Sequence, residues 1–143
     1  HYSCTGALAV ESAIKTCIQY KGFHEPKILS FHNSFHGINS YGGFVTSRFP
    51  GADKRLNGFP ENFSMKISPD LQKVEESLRN NDITCLLVEP IQCSAGDIHY
   101  DKMFFKELRR LCDNTRYRYF RKENTTFWHY GEGRIFTDIL TRR

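Results

Sequence analysis

Apolar residues in the first part of the chain recur at helical spacing. Val10, Ile14, Cys17 and Ile18 share one face of a stretch that follows Ser3 and Thr5 and runs to Lys21-Gly22. Hydroxyl side chains suit a helix start, and a glycine beside a lysine suits its end. A helix is therefore predicted here. Pro26 opens Lys27-Ile28-Leu29-Ser30-Phe31, which predicts a short buried strand. The glycine-punctuated stretch from Phe35-His36-Gly37 to Gly42-Gly43 predicts a turn into a short element. Residues 47–67, with Pro50, Gly51, Asn57, Gly58 and Pro60, predict a long excursion loop. Ser68 as N-cap, Pro69 at the first helical position and Asp70 in the first turn announce a second helix with the stripe Leu71, Val74, Leu78. Asp82 then leads into Ile83-Thr84-Cys85-Leu86-Leu87-Val88, the continuous apolar run of a strand covered on both faces. Asp101 caps a final helix, with Phe104, Leu108, Leu111 and Cys112 inward.

Helix, strand, loop, helix, strand, loop, helix is the order of an α/β protein. It predicts a mostly parallel sheet with helices on both faces. Ligands in such sheets lie beyond the carboxyl ends of the strands. That places residues 34–37 and 89–94 near any site.

Composition narrows the class. At 143 residues the chain suits one domain with its own core. No apolar run is long enough for a membrane span, and the start has neither a basic n-region nor an apolar h-region of a secretory signal. The five cysteines, at 4, 17, 85, 93 and 112, form no C-x-x-C pair, so free thiols in a reducing cytoplasm are expected. Charge is unevenly placed. His1 to Asp113 carries 13 basic and 13 acidic residues, while residues 114–143 carry seven basic against three acidic, so the tail holds the whole +4.

Three places offer chemistry. Gly6 and Ala7 begin a helix whose first amides are free, a setting that receives a phosphate dianion; an ordinary capped helix would look the same. Phe35 and His36 follow a strand end, where an aromatic face can stack on a planar ring; a core Phe and a hydrogen-bonded His are the plainer alternative. Glu89 and Gln92 close the apolar strand with a carboxylate and an amide that need partners. His32 and His36 stand four apart, but the neighbouring glycines argue against the helix that would make them a metal pair, so no metal site is expected.

Taken together, Gly6-Ala7-Leu8-Ala9-Val10-Glu11, Ser34-Phe35-His36-Gly37, Leu87-Val88-Glu89-Pro90-Ile91-Gln92 and the helix from Phe104 to Asp113 resemble the class III aminotransferases, in register from residue 3 to residue 113. The resemblance is nearest to enzymes acting on the ω-amino group of lysine or 4-aminobutyrate. It implies part of the large domain of a fold-type-I enzyme dependent on pyridoxal 5'-phosphate, over residues 1–113. It further implies that Gly6 and Ala7 bind the cofactor phosphate, that Phe35 stacks on its ring with His36 behind, and that Glu89 and Gln92 line the site. An amino donor, a keto acid such as 2-oxoglutarate, and a homodimer in full-length relatives are implied with it.

The departures are as informative. Many relatives carry Glu where this chain has Ser94, and the family's Asp under the pyridine nitrogen falls near Lys122. No lysine lies in the context of the family's Schiff-base lysine, so no catalytic residue is expected and the chain is expected to be inactive alone. Residues 114–143 form a basic, aromatic tail. A one-base slip of the reading frame near Asp113 would explain it, because codons allowed for Phe127 to Gly133 yield F-G-I-T-G-K one base later, near the family's F-G-x-T-G-K. The competing function is a tail that binds nucleic acid or another acidic partner, a weaker reading because basic and aromatic composition is a loose signal. A remnant that binds nothing is the third.

Overall fold

The computed structural model describes residues 3–22, 24–48 and 59–114, together with the backbone of 124–131 and 134–141. Helix α1 (Gly6–Lys21) starts where Thr5 accepts the Leu8 amide at 3.2 Å, and stops at Gly22, whose φ of 64° needs no Cβ to be tolerated. Strand β1 (Lys27–Phe31) follows, then α2 (Ser40–Val45). A 3-10 turn (Glu61–Phe63) leads into β2 (Ser64–Ile67), α3 (Leu71–Asn80) and β3 (Ile83–Leu87). Beyond these come a small hairpin of β4 (Ile91–Gln92) and β5 (Ile98–His99), and α4 (Lys102–Asn114).

The main sheet has the order β2-β1-β3 and is parallel throughout, Ile28 to Phe31 facing Ser64 to Ile67 on one side and β3 on the other. Alternation along β1 then decides which layer each residue enters. Ile28 joins Val10, Ile14, Cys17, Val45, Cys85 and Leu87 beneath α1 and α2. Leu29 and Phe31 join Val74, Leu78, Leu86, Val88, Leu108 and Leu111 beneath α3 and α4. Helices thus cover both faces, and every residue of β3 is buried. The expected α/β sandwich is present.

Two expectations need correction. Residues 64–67 are strand β2, the partner of β1, within what the Gly- and Pro-rich composition marks as loop. The N-cap of α3 is Asp70, not Ser68: its carboxylate accepts the Gln72 and Lys73 amides at 2.8 and 3.0 Å, so Pro69 precedes the cap. The short element near Gly42 is a helix despite two glycines, each costing about 1 kcal/mol relative to Ala in a helix. Within the tail, β6 (Asn124–Gly131) and β7 (Arg134–Thr141) form an antiparallel hairpin separate from the main sheet. Arg116 to Lys122, including the position expected to face the pyridine nitrogen, lie outside the described residues.

Candidate functional site

The carboxyl ends of β1 and β3 open on the same side of the parallel sheet, and their loops are tied to each other. After β1 the chain turns at Asn33, with φ of 64°, held by the Asn33 amide on the Ser47 carbonyl (3.1 Å) and the Ser47 amide on the Ser34 carbonyl (2.9 Å). The buried Ser34 hydroxyl donates to the Phe31 carbonyl at 2.6 Å. These bonds present residues 35–37 beyond the sheet. The Phe35 amide donates to Oε2 of Glu89 at 3.0 Å, and Nε2 of Gln92 donates to the His32 carbonyl at 2.9 Å. The loop after β3 is thereby fastened to the loop after β1 at two points.

A third element closes the arrangement. Gly37, at φ 111°, lies so near the start of α1 that a Cβ there would stand 3.2 Å from Cβ and 3.3 Å from Cα of Ala7. The glycine permits both the backbone angle and this close approach. The helical ladder of α1 begins with the Ala9 amide on the Thr5 carbonyl, and Thr5 Oγ1 takes the Leu8 amide. The amides of Gly6 and Ala7 therefore have no acceptor within the helix. Phe35, Gly37 and the first turn of α1 occupy one neighbourhood.

Polarity there is unusual. Phe35 is 37% exposed, an apolar residue facing water. His36 is 5% exposed; its amide donates to Oγ1 of Thr46 at 2.9 Å, while Nε2 has no partner. Burial, aided by the charge of Lys66, pushes its pKa down to about 3, so the imidazole is neutral. Burial raises the Glu89 carboxyl above its ordinary range, opposed by the Phe35 amide and by Arg48. Gln92 is 1% exposed, its side-chain amide spent on the His32 carbonyl. The Ser94 hydroxyl is buried and has no hydrogen-bond partner among the described residues. Among the described residues no group of three or more His, Cys, Asp or Glu is placed to hold a metal, and no helix is long and apolar enough to cross a membrane.

Of the sequence-predicted residues, the structure brings Ala7 against Gly37, Glu89 to the Phe35 amide, and Gln92 to the residue three before Phe35. Sequence reasoning missed Glu11, Gly42 and Thr46, which hold this loop from behind. The hydroxyl pair Thr46-Ser47 at the end of the glycine-rich stretch was the available signal for one of them.

Solved structures place the fold among aminotransferases. An amine transaminase from an uncultivated Pseudomonas species, in PLP-bound form, aligns over 79% of this chain and 31% of its own with a TM-score of 0.66 at 24% identity. Lysine aminotransferase of M. tuberculosis aligns over 78% of this chain and 32% of its own, with a TM-score of 0.61 and 28% identity. In sequence, residues 1–117 match the family described as Aminotransferase class-III. The chain belongs to the class III aminotransferases, transferases that work with pyridoxal phosphate. L-lysine-epsilon aminotransferase of Mycobacterium tuberculosis is 31% identical over 135 residues, covering 76% of this chain and 30% of the relative. The [LysW]-aminoadipate semialdehyde/glutamate semialdehyde transaminase of Sulfolobus acidocaldarius is 32% identical over 146 residues, covering 96% and 36%. The chain spans about three tenths of the length of the curated relatives it matches.

Proposed function

We propose that residues 1–113 carry part of the pyridoxal phosphate cradle of a transaminase that moves an ω-amino group to a keto acid such as 2-oxoglutarate. The observation that carries this is the packing of Gly37, two residues past the exposed Phe35, against Ala7 in the first turn of α1, where the helix-start amides lie. The residues present suit the group. Gly6 and Ala7 offer N–H groups to the phosphate, with the helix dipole favouring its charge. Phe35 offers its face to the ring, and His36, neutral and buried, packs behind it with one ring nitrogen still open. Glu89 and Gln92 hold the two loops together, and the partly buried Glu89 also lines the site. When bound, the cofactor supplies an electron-withdrawing ring on which the amino group is carried between substrates.

The lysine that completes such a site has no counterpart among the family motifs of this chain, so the chain is inactive alone; an active assembly is a homodimer of longer chains, in the cytoplasm. Residues 114–143 derive from a slip of frame near Asp113, a reading supported by the family match ending at residue 117. The Sulfolobus alignment, which runs on into the tail, weighs the other way, and the gene decides between them.

The test is titration of the purified chain with pyridoxal phosphate, followed by the circular dichroism induced in the cofactor band. Phe35→Ala is expected to weaken binding by roughly tenfold, about 1.4 kcal/mol of stacking and burial. Absence of an induced signal, or equal affinity in the variant, overturns the cradle.

A further inference from the structure

Helix α2 is a poor helix by its own means. It has six residues, two of them Gly42 and Gly43, and its N-cap Asn39 makes no side-chain capping bond. The cap comes instead from α1. Oε2 of Glu11 accepts the Ser40 hydroxyl at 2.8 Å and the Tyr41 amide at 3.1 Å, and Oε1 accepts the Gly42 amide at 2.8 Å. Amides at a helix start have no partner of their own, and a carboxylate there is favoured by the dipole as well. One side chain therefore supplies what the local sequence lacks.

What α2 touches gives this cap a consequence. A Cβ on Gly42 would intrude on the His36 carbonyl oxygen and stand 3.3 Å from Cγ1 of Val10, so α2 lies directly against the loop bearing Phe35. At the other end of α2, Oγ1 of Thr46 accepts the His36 amide and lies 2.9 Å from the Gly42 carbonyl and 3.2 Å from the Gly37 carbonyl. Gly37 in turn packs on Ala7. The path is a closed ring: Glu11 to α2, α2 to His36 and Gly37, and Gly37 back to Ala7. Ala7 and Glu11 are four apart on one helix and so lie on one face of α1.

We propose that Glu11 is a positioning residue for the cofactor cradle: through α2 it sets residues 35–37 against the first turn of α1, and so fixes the distance between the ring platform and the phosphate-binding amides. This rests on the cradle reading of those two places. Glu11 itself contacts neither cofactor nor substrate; it acts through the α2 amides.

Amide hydrogen exchange and cofactor titration of the full 143-residue chain test it together. Glu11→Ala is expected to speed exchange of the Tyr41 and Gly42 amides by about tenfold or more, the worth of a charge-assisted bond, with the Phe35 and His36 amides following. Pyridoxal phosphate affinity is expected to fall in step, while exchange in α3 and β3 stays as in the parent. Glu11→Gln, which keeps one oxygen acceptor, is expected to recover part of both. Should Glu11→Ala fail to fold, Ser40→Ala removes one of the three bonds and leaves the carboxylate, with a smaller shift in the same amides expected. Freed Tyr41 and Gly42 amides with unchanged exchange at Phe35 and His36 overturn the proposal, as does a uniform rise through α3 and β3. If the parent chain takes up no cofactor, the cradle reading fails, and the exchange pattern still judges Glu11.

Discussion

Replacing Gly42 by alanine sets two effects of opposite sign against each other. In an isolated helix the change is favourable by about 1 kcal/mol, because glycine loses more backbone freedom on folding. In this chain the added Cβ collides with the His36 carbonyl oxygen, 3.2 Å from the carbonyl carbon and 3.3 Å from Cγ1 of Val10. The obstacle is backbone, held by the Thr46 hydroxyl, so it cannot swing aside as a long side chain would. Overpacking of this kind costs up to about 3 kcal/mol. The net expectation is a loss of about 2 kcal/mol, or roughly 1 M in the urea midpoint at a slope near 2 kcal/mol per M. Cofactor binding should weaken as well, since relief of the clash moves the loop that carries Phe35. Gly22→Ala is the control. Nothing lies within 4 Å of its added methyl, and its φ of 64° alone costs about 1 kcal/mol. It should lower the midpoint without changing cofactor affinity. A Gly42→Ala chain as stable as the parent, or more so, refutes the packing argument.

Acid should find His36. The imidazole takes its proton near 6.5 in the unfolded chain and only near 3 in the folded one, so the unfolded state holds more protons between those values. Stability therefore falls as pH drops through that window, by about 1.4 kcal/mol per unit from this group. His36→Phe should flatten the decline, and parallel urea series at pH 7 and pH 5 measure the difference; equal slopes would dismiss the buried neutral histidine. Asp70→Ala removes two capping bonds and should cost about 1 kcal/mol, whereas Ser68→Ala should stay within about 0.5 kcal/mol, both read by thermal melts. Gln92→Leu strips the His32 carbonyl of its donor and should destabilise by about 1–3 kcal/mol while loosening the cradle, seen as joint loss of urea midpoint and cofactor affinity. Nucleotides across the Asp113 codon should show that a single-base shift restores an apolar strand and F-G-x-T-G-K downstream; a gene with no such restoring shift dismisses the frame slip.

Local signals made some elements legible and left others hidden. Helix α1 carries its own start and stop in Thr5 and Gly22, and α4 its start in Asp101, which accepts the Phe104 amide at 2.7 Å. Strands β1 and β3 are apolar enough to stand out. Strand β2 is not: Ser64-Met65-Lys66-Ile67 is four partly buried residues, and only pairing with β1 makes it a strand. Helix α2 was illegible for a sharper reason, since its cap lies about thirty residues upstream in Glu11. The hairpin of β4 and β5 turns on Gly96 and Asp97, both at positive φ, where Asp gives a weaker signal than a second glycine would. The site shows the same division. Strand ends pointed to Phe35, Glu89 and Gln92, but not to the bonds by which Glu89 and Gln92 fasten one loop to the other.

Those two fastenings join residues 54 and 60 positions apart in the chain. Neither can form until a ribosome has delivered β3 and the intervening crossovers have closed, an entropic step that grows with loop length. A nascent chain halted before Glu89 would own the aromatic ring and its support from α2, yet lack the tie to the second loop. A vitamin-derived ligand that needs both loops would then engage only finished molecules, drawing the population toward the native state by mass action.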